Sequence, residues 1–385
     1  MSASRSPEHP AGGHSPHRAW IEIDHEALRA NLDLVRELAG AGKQVIGVVK
    51  ANAYGHGDVP VARTLLDAGV ERLAVATLSE AQRLRAAGIE APLLVLWALG
   101  EPEAEPAVAA GVEVTVYAER DLAFIERAAA VAGRRVSVQL KVDSGLGRQG
   151  IEPAASVDVA LAIARSRHLR LVGTYSHLAV PGEDDAFTEV QLLRLAQALD
   201  AMRSAGVDPG LVHVAASGGI LARAGDFADA VRPGLLLYGM RPGWAAEQDL
   251  ALRPVLSLRA LPLRIFDLPA GEGIGYGLRF RAQRATRIAT LGIGYGDGWP
   301  RAHANNGSVL VRGTRAPVVG AVSMDGLGVD IGQIDDVTYG DEFVLIGSQM
   351  GVHITADEVA AERRTINYEV TTSLRARLPR VHQGR

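Results

Sequence analysis

Between residues 43 and 240 the chain repeats one alternation: a short apolar run, then a stretch with helical periodicity. The runs are Gln44–Val49, Arg72–Thr77, Pro92–Trp97, Val112–Tyr117, Val136–Val142, Leu171–His177, Val212–Ala216 and Ala230–Tyr238. Between them lie amphipathic patterns such as VPVARTLLDAGV, SEAQRLRAAG, ERDLAFIERAAAVAG, PAASVDVALAIARSR and AFTEVQLLRLAQALDAMRSAG. A strand that is apolar on both faces must be covered on both, the situation of a parallel sheet with crossover helices. Eight such units match a (β/α)8 barrel, the fold expected for the first part of this α/β chain. An open doubly wound sheet is the alternative, weakened because no G-x-G-x-x-G follows the first run. Ser79 with Gln82 has capping-box spacing at the start of its helical stretch.

After about residue 252 the texture changes. Runs such as VLSLRALPLRIF, RATRIATLGIGYG and DEFVLIGS follow one another between Gly, Asp and Asn turns, which reads as a mostly antiparallel β domain. Thr355 and Glu358 have capping-box spacing before one or two short helices. The expected division is a disordered tail over 1–18, a barrel over 19–252 and a β domain over 253–385. The segment AWIEIDHEAL is expected to lend a strand to that β domain before its helix leads into the barrel.

Composition removes several function classes. A net charge of −4, with basic residues scattered, gives no electrostatic case for nucleic acid. No apolar stretch approaches the ~18 residues that span a bilayer. The absence of cysteine excludes disulfides, thiolate catalysis and cysteine metal sites, and fits a reducing, cytoplasmic interior. His9, His14 and His17 lie among prolines with no acidic partner, so the tail reads as disordered rather than metal-binding, and no metal is expected.

In a (β/α)8 barrel the chemistry gathers at the C-terminal ends of the strands. The strand ends here carry Lys50, Lys141 with Asp143, Arg148 in the loop VDSGLGRQG, His177, Ser217-Gly218-Gly219, and Arg232 with Gly234. Taken alone, Lys50 is a lysine that snorkels to water. Taken with the others it lies on a polar rim. There an amine with a lowered pKa can attack a carbonyl and form a Schiff base. Pyridoxal 5'-phosphate is the cofactor such a lysine suggests, and ASGG (216–219) and RPG (232–234) offer backbone donors for its phosphate.

These residues resemble the alanine racemase family, from about Trp20 to the C-terminus. VVKANAYGHG is similar to its cofactor-lysine motif, and KVDSGLGRQG, TYSHLA, VRPGLLLYG, GIGYG, IGYGDGW, SMD and TINYEV follow in the family's order. The resemblance implies racemisation of L-alanine to D-alanine by two bases, supplying cell-wall peptidoglycan. Lys50 would hold the cofactor and serve one face of the α-carbon. Tyr276 would serve the other from the neighbouring subunit of a head-to-tail homodimer, polarised by His177 and Arg232. A single base would return the proton to the face it came from. The family pairs the pyridine nitrogen with arginine, here Arg232, which leaves that nitrogen neutral. Arg148 is implied in contacts with cofactor and substrate carboxylate, and Lys141 matches a lysine that some members carbamylate. A plain salt bridge of Lys141 with Asp143 is the other reading. Tyr54, Ser217, the backbone of Gly234 and Leu235, and Tyr368 carry over as phosphate ligands. Met324 carries over as a backbone N–H donor to the substrate carboxylate from the partner chain, with Asp325 beside it, and Tyr295 as an entrance residue, a plain turn aromatic being its other reading.

One departure stands out. Many members have Asn-Ser where this chain has Ala216-Ser217, a loss of one hydrogen bond worth ~1 kcal/mol that backbone donors at Gly218-Gly219 could offset. A pyridoxal-phosphate decarboxylase of the same layout would want a glutamate at the pyridine nitrogen and a cysteine. A non-catalytic cofactor carrier would lack the β domain. A racemase acting on serine or other amino acids is the nearer alternative, since one methylene is worth only about 1–3 kcal/mol of discrimination.

Overall fold

A computed structural model describes residues 17–384 and divides them into two units, His25–Arg253 and a second made of the segment up to Asp24 together with Pro254–Gly384. The expected tail lies outside the described residues except for His17 and Arg18. In the second unit the strand β1 (Ala19–Asp24) pairs antiparallel with Leu256–Ala260 and parallel with Arg380–Gln383. The barrel therefore begins at residue 25, not 19. The reason is burial: Trp20, Ile21 and Ile23 are all buried, and they are covered within a sheet built from residues beyond 254.

The first unit is a closed barrel of eight parallel strands: β2 (Gln44–Val48), β3 (Arg72–Val75), β4 (Leu93–Val95), β5 (Glu113–Val116), β6 (Val136–Lys141), β7 (Leu169–Tyr175), β8 (Leu211–Ala216) and β9 (Ala230–Arg232). It closes where Gln44 and Val45 of β2 meet Ala230 and Val231 of β9. Helices of seven to twenty residues connect most of the strands, the longest being Asp185–Ser204. Leu73, Leu93, Leu94, Val116, Val138 and Leu140 have essentially no exposure, as two covered faces require.

Three local expectations shift. The run Ala230–Tyr238 stops as a strand at Arg232, because Pro233 has no N–H for a ladder, and the chain re-forms as a 3-10 turn over Leu235–Tyr238. The run read as Leu171–His177 is the strand Leu169–Tyr175, which leaves His177 just beyond the strand end. The capping box is Thr77 with Glu80 rather than Ser79 with Gln82, since the helix starts at Leu78 and Thr77 keeps the extended backbone a cap needs. Thr355 does cap the helix Ala356–Arg363, accepting from the Glu358 N–H at 3.0 Å. The Glu358 carboxylate turns instead to Arg315.

The second unit is a mostly antiparallel sheet. Its strands run in the order Pro262–Leu268, Thr286–Leu291, Leu327–Asp330, Thr314–Val319, Ser308–Val311, Phe343–Gln349, Leu256–Ala260, β1 and Arg380–Gln383.

Within the barrel unit, fully buried Asn31 holds three backbone groups. Its amide donates to the carbonyls of Leu237 (3.1 Å) and Arg253 (2.8 Å) and accepts from the Arg253 N–H (2.8 Å). Replacing Asn31 by Leu removes all three from buried backbone and is expected to cost about 2 kcal/mol, read as a lower denaturant midpoint.

Candidate functional site

β2 delivers Lys50 into an uncommon turn. Ala51, Asn52, Ala53 and Tyr54 have φ of 51, 55, 53 and 54°, a single left-handed helical turn without a glycine in it. Such residues cost ~1–2 kcal/mol each and persist only where the surroundings dictate them. Here three side chains do so. Glu80 accepts the Ala51 N–H at 2.7 Å with one carboxylate oxygen and the Ala76 N–H at 2.8 Å with the other. Fully buried His56 donates from Nδ1 to the carbonyls of Ala53 and Tyr54, at 2.9 and 3.0 Å. Asn52 Oδ1 caps the next helix by accepting the Asp58 N–H at 3.1 Å. Gly55 and Gly57, at φ 87 and 99°, carry the chain out. The motif ANAYGHG is thus one built turn, and sequence reasoning missed both its handedness and the roles of His56 and Glu80. His56 stood in the motif itself, whereas Glu80 offers only its capping-box spacing with Thr77, which does not point to the Ala51 N–H.

The same rim gathers Tyr54, Ser217, Gly234 and Leu235. Ser217 Oγ accepts N–H groups from Gly234 and Leu236, both at 3.2 Å. A Cβ on Gly234 would stand 2.4 Å from the Tyr54 hydroxyl oxygen, so glycine is what lets that phenol approach the backbone. The Tyr54 ring lies 4.9 Å from that of Tyr238, whose hydroxyl donates to the Val48 carbonyl at 2.8 Å.

Four cationic side chains converge on this rim: Lys50, Lys141, Arg148 and Arg232. Burial, then Arg148, hold the Lys50 amine below the ordinary lysine range, against an upward pull from Glu80 and with a further lowering by Arg232. Burial followed by Arg148 and Arg232 brings Lys141 to about 8. The expected Lys141–Asp143 salt bridge does not form among the described residues, because the Asp143 carboxylate accepts the N–H groups of Gly145, Leu146 and Gly147. Lys141 instead sits 5.5 Å from the Tyr117 ring centre and 5.8 Å from that of Tyr175, and Arg148 lies over Trp97.

Arg232, buried, uses its donors on neutral acceptors: His213 Nδ1 at 2.6 Å, the Ser176 carbonyl at 2.7 Å, and His177 Nδ1 and the Val214 carbonyl at 3.2 Å each. A guanidinium only donates, so both imidazoles present a bare Nδ1 to it and carry their hydrogen on Nε2. Burial, then Arg232, Arg148 and the two lysines, push His177 well below its ordinary range and keep it neutral.

The remaining residues singled out from the sequence lie in the β unit. Tyr276 opens a 3-10 turn (Tyr276–Leu278) between two short strands and is 78% exposed. Tyr295, Met324 and Asp325 are brought together. The Met324 carbonyl accepts the Gly296 N–H at 2.8 Å, and Arg377 bonds Asp325 at 2.6 Å while reaching fully buried Asp297 at 3.3 Å. Asp297 also accepts from Arg18 and from the Gly294 N–H, each at 3.0 Å, so this aspartate organises the segment. Tyr368 lies partly buried in the helix Asn367–Thr372.

Comparison with known proteins follows the same two units. Residues 23–242 match the family model for the alanine racemase N-terminal domain, and residues 255–382 that for its C-terminal domain. Among curated proteins, alanine racemase of Desulforamulus reducens is 40% identical over 371 residues, 95% of this chain and 99% of the relative. That of Thermobifida fusca is 41% identical over 372 residues, 95% and 98%. Among solved structures, alanine racemase from Bacillus anthracis with bound L-Ala-P superposes with a TM-score of 0.90 at 34% identity, covering 97% of this chain and 96% of that one. The enzyme from a D-cycloserine-producing Streptomyces lavendulae gives 0.89 at 36%, covering 97% and 98%.

The Lys141 environment makes a signed prediction for ligand-free protein in CO2-free buffer. A lysine whose folded pKa is about 8 against an ordinary 10.5 penalises the fold wherever it must be charged. Lys141→Met is therefore expected to gain about 2–3 kcal/mol below pH 8, a gain that shrinks as the pH climbs towards 10.5. Denaturant midpoints across that range check it.

Proposed function

The chain belongs to the alanine racemase family, and from that premise we propose that it interconverts L- and D-alanine with pyridoxal 5'-phosphate, as a homodimer with shared active sites. The observation that carries this reading is the rim itself: four cations, one lysine on a built left-handed turn, and a neutral histidine between them. Such an excess of positive charge suits a ligand bearing phosphate, phenolate and carboxylate. Tyr54, Ser217 and the backbone of Gly234 and Leu235 fit the phosphate, because the missing Cβ of Gly234 leaves that backbone open. Tyr368 would join them. When bound, the cofactor supplies the electron sink that acidifies the substrate's α-hydrogen.

The protein's own part is to serve both faces of that carbon. Lys50 would hold the cofactor through its aldehyde carbon, and its free amine, held low chiefly by burial and Arg148, would take or return the proton on one face. Tyr276 from the partner chain acts on the other, which its large exposure in the β unit supports. His177 Nε2–H, fixed by the Arg232 bond at Nδ1, is the donor that steadies a phenolate there. Arg232 would serve the pyridine nitrogen as a donor. Arg148 and the backbone N–H of the partner subunit's Met324 would hold the substrate carboxylate, with Asp325 bracing that segment through Arg377 and Tyr295 lining the approach. The lowered Lys141 amine can take up CO2: its nitrogen forms the new C–N bond, a proton leaves to solvent, and the resulting carbamate anion orients Arg148. Cytoplasmic supply of D-alanine to peptidoglycan is the physiological role that follows. Among the described residues no helix is long and apolar enough to cross a membrane.

Incubating the cofactor-loaded protein with L-alanine in D2O is expected to show loss of optical rotation together with deuterium at the α-carbon, and yellow absorbance near ~420 nm. Lys50→Ala is expected to abolish both absorbance and borohydride trapping. Tyr276→Phe should keep the colour and lose ~10²–10⁴-fold in racemisation. A Tyr276→Phe protein that racemises freely contradicts the two-base reading, and comparison across L-amino acids fixes the substrate range.

A further inference from the structure

The contacts of Arg232 do not end at the rim. His213, fully buried in β8, bonds through Nε2 to Gln139 Oε1 of β6 at 2.6 Å. Gln139, also fully buried, donates from Nε2 to Glu113 Oε2 at 2.5 Å, and the second Glu113 oxygen pairs with Arg72. Arg72 and Glu113 are the first residues of β3 and β5, whereas Arg232 is the last of β9. The strands are parallel, so this chain of polar side chains runs through the barrel bore from its N-terminal floor to its C-terminal rim. Room for it is made at Gly173 in β7, where a Cβ would lie 3.1 Å from Gln139 Oε1. The Tyr175 ring stacks on His213 at 4.7 Å and lies under Arg232 at 5.1 Å, closing one side.

The hydrogens in this chain have only one consistent arrangement. Glu113, ion-paired with Arg72, can only accept, so the Gln139 amide must turn its NH2 to it. That leaves Gln139 Oε1 towards His213, which must then carry its hydrogen on Nε2 and offer bare Nδ1 to Arg232. If the amide turned over, its NH2 would face His213 Nε2 and place the ring hydrogen on Nδ1, against an Arg232 N–H. Two donors cannot share that 2.6 Å contact.

We propose that Gln139 is a positioning residue for the reaction: anchored by Glu113 and Arg72 at the barrel floor, it fixes the tautomer of His213 and thereby the orientation of the Arg232 guanidinium at the rim. The catalytic consequence rests on the racemase reading above; the tautomer does not. Neither Gln139 nor Glu113 touches a substrate or cofactor, so their effect passes through Arg232.

The test uses holoenzyme labelled with 15N-histidine at pH 7. Wild-type His213 is expected as the neutral Nε2–H form; an Nδ1–H form or a cationic ring overturns the proposal, whatever any variant does. Gln139→Met, close in volume but unable to bond, and Glu113→Gln, which frees the amide to turn, are expected to lose that single form. They should also lower kcat on the order of 10²-fold while KM stays within about threefold. A purely structural role would lower the melting temperature and leave kcat per folded molecule unchanged, and that result also overturns the proposal. If the racemase reading itself is wrong, wild-type protein is inactive while its His213 signal still shows the expected tautomer, so the two failures are told apart.

Discussion

The rim of this barrel is organised by one buried guanidinium that finds no carboxylate among the described residues. Arg232 is 4% exposed and gives its hydrogens to two imidazole nitrogens and two carbonyls. A buried charge is normally compensated by an opposite one, and leaving it among neutral acceptors costs stability. Burial pulls Arg232 down to about 10, still fully charged at neutral pH. Because arginine only donates, both histidines face it with bare Nδ1 atoms, and its field adds to burial and to that of Arg148 in depressing Lys50 and Lys141. The neutral histidine and the two lowered lysines therefore share burial first, and then the fields of Arg148 and Arg232.

The left-handed turn after β2 complements this arrangement. It stores strain next to the Lys50 amine, and its ties come from outside the turn, at Glu80 and His56. A strained turn over-determined by its neighbours is a fixed platform. Lys50 leaves it at a set angle, while Tyr54 is carried one turn on to meet Gly234.

Much of the architecture was legible because it is written in periodicity. Eight runs apolar on both faces, each followed by an amphipathic stretch, admit few folds, and the closed barrel appears where those runs were read. Boundaries failed where a single residue overrides a pattern: Pro233 ended β9 early, and extended Thr77 took the cap from Ser79. The rim residues could be found as strand ends. The left-handed turn could not, since of Ala-Asn-Ala-Tyr only the Asn favours positive φ and the restraint on the other three is tertiary. Gln139, His213 and Glu113 were invisible for a related reason. His213 is the lone polar residue of its strand, Gln139 stands between Ser137 and Lys141, and Glu113 opens β5 ahead of Thr115, so none marks a network by itself; the four strands that join them with Arg232 meet only when the barrel closes. In the β unit, Asp297 read as part of a turn motif, and only the fold shows its carboxylate tying Arg18, Arg377 and Gly294 together.

Lys50 and Tyr276 lie in different units of the chain, and serving one α-carbon from two copies makes a demand that no single-chain enzyme would meet. Mixing Lys50→Ala protein with Tyr276→Phe protein, each nearly inactive alone, and allowing subunits to exchange is the direct measurement. Shared sites predict that activity returns, because every mixed dimer holds one site with an intact lysine from one copy and an intact tyrosine from the other. Activity that stays at the level of the separate variants after verified exchange would contradict the shared two-base account.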